Sequence, residues 1–348
     1  MFDAHVIGAG PVGCVATIAV ARKGKNVLLS EEHTAAGRKP CSGLFSLSGL
    51  KTLEKYCSWK DTVETEIYGA ELHLGDSMLT VKKRSPIAAV CHRDKFDKLL
   101  AQTALEEGAA VQYGRKVTGT FRSKKIIGAD GANSTVAAHF RFPRMKKFIG
   151  TLQGEINGTW DEQLVQVFLS SEFPGFFGWV IPRGGRKYEL GCGVQLPYSV
   201  KDAFELLKRR LGATDVQNMQ ASIIPIKPRS KTGKSVGGYD VMLVGDAAGQ
   251  AKATTGGGVL FGSWCAEIAA AKLDSLHYEV EWQAKYGKEL LLHRAARKFL
   301  NRLDDKQLTE LGKRLADRKF NEFLEQHGEM DKVSDMAMQL ALRPQLLL

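Results

Sequence analysis

The sequence predicts an α/β (α+β) protein: a Rossmann-like dinucleotide-binding domain, a second antiparallel-sheet domain and a helical C-terminal region. Three stretches predict it. Residues 3–32 read strand, glycine turn, helix, strand. Residues from about Phe148 to Ile226 read as short strands separated by Gly, Pro and charged turns. From Tyr239 the chain returns to a strand that ends in glycines and opens a small-residue helix.

The first stretch is "DAHVIGAGPVGCVATIAVARKGKNVLLSEE". His5 to Ile7 form a short apolar strand, Cys14 to Lys23 have helical spacing, Gly24 stops the helix, and Val27 to Ser30 form the next strand. Between the first two lie Gly8, Gly10 and Gly13, a G-x-G-x-x-G run. Gly8 permits the tight turn, Gly10 lets backbone N–H groups approach a pyrophosphate, and Gly13 lets helix and strand pack closely. The helix N-terminus favours negative charge, and Glu31, ending the second strand, can accept ribose hydroxyls. A lone glycine run says little; here the strand, helix, second strand and acid are in register.

From Ile67 to Val90 short alternating strands follow, including "AELHL" and "MLTVKK". "HRDKFDKLLAQTALEEGA" then has Phe96, Leu99, Leu100 and Leu105 at helical spacing, ended by Gly108. Arg93 opens that helix. An arginine there can reach a cofactor phosphate or be a solvated helix-start charge, and periodicity alone favours the second. "KKIIGADGANSTVAAHF" is a second strand-to-turn signal, with Asp130 and Gly131 in the turn. The antiparallel stretch, interrupted by a helix at about Lys201 to Leu211, forms the second lobe. In "YDVMLVGDAAGQAKATTGGGVLFG", Val241 to Val244 form a buried strand ended by Gly245-Asp246. Gly256, Gly257 and Gly258 then open a helix through Ala271 whose bare N–H groups suit an anion or a carbonyl. The resulting division is 1–65, 88–145 and 237–277 for a discontinuous nucleotide-binding domain, 66–87 and 146–236 for the substrate domain, and 278–348 for the helical region.

The formal net charge is +11 and the pI about 9.3. Such a surface suits phosphates, nucleic acid or anionic lipid, or is merely a basic solvated surface. Six scattered cysteines give no CxxC pair, so neither a zinc spacing nor a disulfide framework is predicted, and no metal is expected. No signal peptide and no membrane-spanning run of about 18 apolar residues is evident. The tail from Tyr278 is helical and basic. An ordinary amphipathic helix explains it most simply; the other reading is a lid or a lipid-facing surface.

Three nucleotide-site signals thus stand in chain order: GxGxxG with Glu31, "GADGANS", and "LVGDAAG". Over residues 1 to about 273 the set resembles the FAD-containing enzymes built like para-hydroxybenzoate hydroxylase. The resemblance implies FAD as cofactor. Gly8, Gly10, Gly13 and Glu31 would hold its ADP part, Asp130 and Gly131 would shape the site, and Gly245 and Asp246 would meet ribityl or ribose hydroxyls. "RDKFDKLL" also matches the group, which makes Arg93 an FAD contact. Within the group, "KPCSG", "PGFFGWVIPRG" and "AKATTGGGVLFG" are similar to three motifs of the geranylgeranyl reductases of archaeal type, which act on digeranylgeranylglycerophospholipids. This implies Arg38, Cys41, Ser42, Gly257, Gly258 and Val259 at the cofactor, Cys41 also as a catalytic residue, and Phe177, Trp179 and Ile181 at the substrate. Ala253 departs from the family's proline, Phe177 from its tyrosine and Ile181 from its phenylalanine.

The implied reaction saturates isolated, trisubstituted double bonds of geranylgeranyl chains. Hydride from reduced flavin and a proton must be added nearly together, because a thiol is a modest acid with an ordinary pKa of about 8.5. The residues alone favour Cys41 as a small buried residue; the motif favours a role in proton delivery or flavin contact. Phe177, Trp179 and Ile181 alternate and so share one strand face, as core packing or as a channel wall toward the flavin. The implied partners are an isoprenoid lipid and an external electron donor (NADPH, ferredoxin or another carrier), with no nucleic acid and a monomer as the default. The implied location is cytoplasmic, with peripheral contact at the inner membrane face. Rival readings are a flavin monooxygenase or halogenase of the same fold, or a flavoprotein that binds lipid or nucleic acid without turnover. "FGWVIP" overlaps the halogenase Trp-x-Trp-x-Ile-Pro, but Phe177 stands at its first tryptophan and the triple glycine is not its pattern.

Overall fold

A computed structural model describes residues 1–37, 40–328, 330–332, 334–335 and 338–339. In chain order, β1 (Ala4–Ile7), α1 (Pro11–Ala21) and β2 (Val27–Ser30) form the opening unit. β3 (Leu44–Ser46), α2 (Leu47–Leu53), β4 (Val63–Ile67), β5 (Gly69–Leu74), β6 (Ser77–Lys82) and β7 (Ala88–Cys91) lead to α3 (Arg93–Glu106). β8 (Ala110–Gln112), β9 (Lys125–Gly128) and α4 (Thr135–His139) complete the first pass. β10 (Phe148–Asn157), β11 (Leu164–Leu169), β12 (Gly178–Gly184), β13 (Lys187–Gln195), α5 (Val200–Leu211) and β14 (Gln217–Pro225) build the second lobe. β15 (Gly233–Val236), β16 (Tyr239–Leu243) and α6 (Val259–Lys272) return to the first. The tail holds α7 (Ser275–Trp282), α8 (Lys288–Leu300), α9 (Asp305–Leu315) and α10 (Arg318–His327).

Among the described residues these strands form three sheets. The first has the order β15-β16-β9-β1-β2-β8, parallel except for the β15–β16 hairpin. β1 and β2 are buried along their whole length, as inner strands covered on both faces must be. α1, α3 and α6 share one core with this sheet. The second sheet runs β14-β10-β13-β12-β11-β5-β6, and a small third sheet runs β3-β7-β4.

Two expectations change. The second sheet is not wholly antiparallel, because β5 pairs parallel with β11. The chain reaches β5 long before β11, so no hairpin fixes their relative direction. Gly233–Val236, placed by the sequence division in the substrate domain, hydrogen-bonds to β16 in the first sheet. The two-residue turn at Gly237-Gly238, both at positive φ, makes that strand part of the returning hairpin.

Local signals set the helix ends. Pro11 sits at the start of α1 with Gly10 as N-cap, so the helix opens three residues before its apolar spacing shows. Ser199 caps α5 by accepting from Asp202 N, and Gly212 ends it at φ +63. Asp304 and Gln307 form a reciprocal capping box on α9. α5 lays Ala203, Phe204 and Leu207 on the back of the second sheet, against Leu190 and Cys192. No helix among the described residues is long and apolar enough to cross a membrane. Nor does any group of His, Cys, Asp and Glu among them have a metal-holding arrangement.

Phe204 is fully buried at the centre of that back layer. Phe204→Ala is expected to cost about 3–5 kcal/mol. Denaturant unfolding followed by circular dichroism checks it; a cost below about 1 kcal/mol shows that the layer is not packed as described.

Candidate active site

The three sheets and the tail enclose one cavity of about 760 Å³. It lies outside the carboxyl ends of the parallel strands, where open α/β sheets bind their ligands. One part is backbone and polar: Gly10 and Pro11, Asp130 and Gly131, Gly245 and Asp246, and the Gly256–Val259 segment. The other is apolar: Val165, Val167, Phe177, Trp179 and Ile181 of the second lobe, and Leu300, Leu324 and Met330 of the tail. Cys41, Ser42 and Arg93 also line it.

The glycine loop is built by close approach. Gly8 has φ +101, and a Cβ on Gly13 would lie 1.8 Å from Gly8 O. Glu31 ties this loop from outside: its carboxylate accepts from Ala9 N at 2.7 Å and from His33 N and Nδ1 at 3.0 and 2.6 Å. Burial raises its pKa, but these donors outweigh it and hold the carboxyl below the usual range. Two helices open onto the cavity without a side-chain cap, α1 at Gly10 and α6 at Gly258. A Cβ on Gly10 would meet nothing within 4 Å, so the cavity reaches the backbone there.

The structure sorts the other predicted residues. Asp130 lines the cavity, but its carboxylate folds the turn, accepting from Ser134 Oγ, Thr135 Oγ1 and Val136 N at 2.6, 3.0 and 3.0 Å. Asp246 lies over Gly258, where a Cβ would come within 2.8 Å of its Oδ1. Arg93 is no solvated charge: it is 8 % exposed, pairs with Asp97 through two 2.9 Å bonds, packs against Gly43 and lines the cavity together with Cys41. Phe177, Trp179 and Ile181 do share one face, with Phe177 and Trp179 edge-to-face at 5.7 Å. Arg38 lies outside the described residues.

The family model described as an FAD binding domain matches residues 1–262. The chain belongs to this FAD-binding family. It is 27 % identical to a digeranylgeranylglycerophospholipid reductase of Methanothrix thermoacetophila, over 89 % of this chain and 90 % of that one. It is 26 % identical to an uncharacterized protein of Methanocaldococcus jannaschii, over 97 % and 94 %. Among solved structures it is similar to a geranylgeranyl bacteriochlorophyll reductase-like protein of Thermoplasma acidophilum, with TM-score 0.80, 21 % identity and 99 % and 97 % coverage. It also shares its fold with the flavin-dependent brominase Bmp2, with TM-score 0.70, 15 % identity and 99 % and 98 % coverage.

The residues present fit FAD. The uncapped α1 N-terminus offers N–H groups to a pyrophosphate and the uncapped α6 N-terminus offers them to a ring carbonyl. At Gly256–Gly258 a Cβ would come within 2.9 Å of Ile224, Lys252 or Asp246, so this cavity-lining stretch must be side-chain-free and presents backbone. The chain is an FAD-dependent oxidoreductase.

Sequence reasoning passed over residues that the fold brings here. Arg297 is 4 % exposed and lines the cavity. It donates to Ala253 O and Phe176 O at 3.1 Å each and to Thr254 O, and its guanidinium stacks on the Phe176 and Phe177 rings. Burial lowers its pKa to about 10. Its signal was present: Leu290, His293 and Arg297 fall on one helical stripe, while Lys298 next to it faces water. Lys252 and Asp331 form a buried ion pair, and Ser46 donates to the same carboxylate. They tie the tail to the cavity, so the tail is a wall of the site as well as a solvated surface.

Arg297→Met removes the donors of three carbonyls at the junction of both lobes and the tail. FAD is expected to bind this variant tenfold or more weakly, about 1.4 kcal/mol. Fluorescence titration of the deflavinated protein measures it, and an unchanged affinity removes Arg297 from the support of the site.

Proposed function

We propose that this chain saturates isolated double bonds of geranylgeranyl chains in archaeal-type membrane lipids. The observation that carries the reading is the continuity of one cavity, from the uncapped α1 and α6 N-termini past Cys41 into an apolar, aromatic-walled extension. Bound FAD in its reduced form supplies hydride. The chain's own residues do the rest.

An isolated alkene has no carbonyl to take up charge, so the proton must go to the less substituted carbon while the tertiary carbon becomes positive. Cys41 holds the proton at Sγ. Arg93, held in place by Asp97, lines the cavity together with Cys41. Phe177 and Trp179 offer ring faces that stabilise positive charge by roughly 0.5–2 kcal/mol each. Val165, Val167 and Ile181 keep water from that charge. Leu300, Leu324 and Met330 extend the apolar surface for the rest of the chain. Gly10, Asp130, Gly131, Gly245, Asp246 and the Gly256–Val259 segment would hold the cofactor in this reading, with Gly8, Gly13 and Glu31 shaping the first loop. An external electron donor, contact with the membrane that holds the lipid, and a monomeric state belong to the same proposal. The names borne by relatives that match nine-tenths of the chain support it.

Under anaerobic conditions, dithionite-reduced holoprotein should add one H2 per double bond to a geranylgeranyl lipid, read by mass spectrometry. An oxygenated product formed only with O2 would establish the monooxygenase reading instead. Cys41→Ser should lower turnover by about 10²-fold or more while FAD stays bound. Unchanged turnover would remove Cys41 from proton delivery.

A further inference from the structure

Beside the aromatic wall, on the same face of the second sheet, lies a partly buried charged cluster that proton delivery from Cys41 does not use. Glu189, in the middle of β13, pairs across the strands with Ile181 and is 4 % exposed. Its carboxylate accepts from Trp179 Nε1 at 3.1 Å and from Gln153 Nε2 at 3.0 Å, and both donors belong to cavity-lining residues. Arg183 of β12 stands between two carboxylates: its Nη2 is 2.7 Å from Glu64 Oε2, and its Nη1 is 3.5 Å from Glu189 Oε2. The same Nη1 donates to the carbonyl of Ser42 at 3.3 Å, next in the chain to Cys41.

Two carboxylates thus share one guanidinium in a place poor in water. A third, the exposed Glu155, pairs with Glu189 across the β10–β13 ladder and accepts from Asn218 Nδ2 at 2.9 Å. Such an arrangement carries surplus negative charge and favours keeping one proton. Glu189 is the group that keeps it: burial pushes its carboxyl up to about 7, against the pull of Arg183 and the Trp179 N–H, with Glu155 and Glu64 adding to the rise.

We propose that Glu189 is a positioning residue whose protonation state sets how firmly Arg183 holds the Cys41–Ser42 loop against the aromatic wall. With Glu189 neutral, the guanidinium is balanced by Glu64 and Nη1 serves the Ser42 carbonyl. With Glu189 ionised, the guanidinium is drawn to the second carboxylate, and the Ser42 contact, already long, opens. The groups that face Glu189 are Arg183 and Trp179 from β12, Gln153 and Glu155 from β10, and Glu64 from β4. Arg183 is the one cation in that set. The consequence for turnover rests on Cys41 as the proton source; the coupling itself does not.

Alkylation of the purified holoprotein by iodoacetamide reads the loop without any lipid. Cys41 is half-buried and the other five cysteines are buried, so a Cys41→Ser control isolates its signal. Glu189→Gln keeps the shape and the Trp179 contact but cannot ionise. The wild-type rate divided by the Glu189→Gln rate is expected to rise about tenfold as pH passes through neutrality, the effect of losing one contact of about 1.4 kcal/mol. Glu64→Gln frees Arg183 for Glu189, so in that variant the step should move to lower pH. If Glu189→Gln does not fold, the displacement between wild type and Glu64→Gln carries the test. A ratio flat across neutral pH, or a step that Glu64→Gln leaves in place, overturns the proposal. A step seen in a protein that reduces no lipid supports the coupling and counts against the reductase reading, so the two fail separately.

Discussion

The site depends on how closely the first helix approaches the first strand. At Gly13 a single methyl group has no room, because Gly8 O already occupies that place. Backbone therefore rests on backbone, and the N-terminus of α1 is brought to the edge of the parallel sheet. Pro11 fixes the first helical turn and gives up no hydrogen bond in doing so. Glu31 holds the same loop from the next strand by accepting Ala9 N. A larger residue at position 13 would lift the helix and carry its free N–H groups away from the cavity.

Apolar contact alone cannot hold the second lobe in register over that cavity, since burial of hydrocarbon is favourable in almost any sliding position. Buried charges supply the direction. Arg297 reaches carbonyls of the second lobe and of the Ala253–Thr254 loop from a tail helix. Arg183 joins β12 to the Cys41–Ser42 loop and to β4. Lys252 and Asp331 join the loop before α6 to the tail. Each is costly to take from water and is satisfied only when segments distant in the chain meet correctly. Their contribution is to position rather than to net stability.

The three departures from the geranylgeranyl reductase motifs can be read in this light. Phe177 lacks the tyrosine hydroxyl, yet its ring is held by stacking on Phe176 at 4.1 Å and by the Arg297 guanidinium. Its placement requires no hydroxyl. Ala253 is buried and presents its carbonyl to Arg297, which a proline there would also present. Ile181 keeps an apolar surface on the cavity beside Trp179.

The opening strand–glycine–helix unit, the antiparallel stretches and the returning Gly-Asp turn were legible in the sequence, because each is a local pattern: a period of 3.6 or 2, or a glycine where backbone must bend or touch. Cys41 and the Phe177–Ile181 face were legible as motifs. Arg93 was not separable from a surface charge, since its burial comes from Gly43, 50 residues earlier, and from Asp97 one helical turn on. Glu189 stands out in "YELGCG" as a charge in an apolar run, but nothing local names Trp179, Gln153 and Arg183 as its partners. The parallel pairing of β5 with β11 and the closure of the cavity by Leu324 and Met330 likewise had no local signature. Sequence by itself determined most of the elements and the glycine turns between them, where spacing along one segment fixes geometry. Tertiary structure decided which charges are buried and what they hold, because the cost of burying a charge is set by groups that only the folded chain brings within hydrogen-bonding distance.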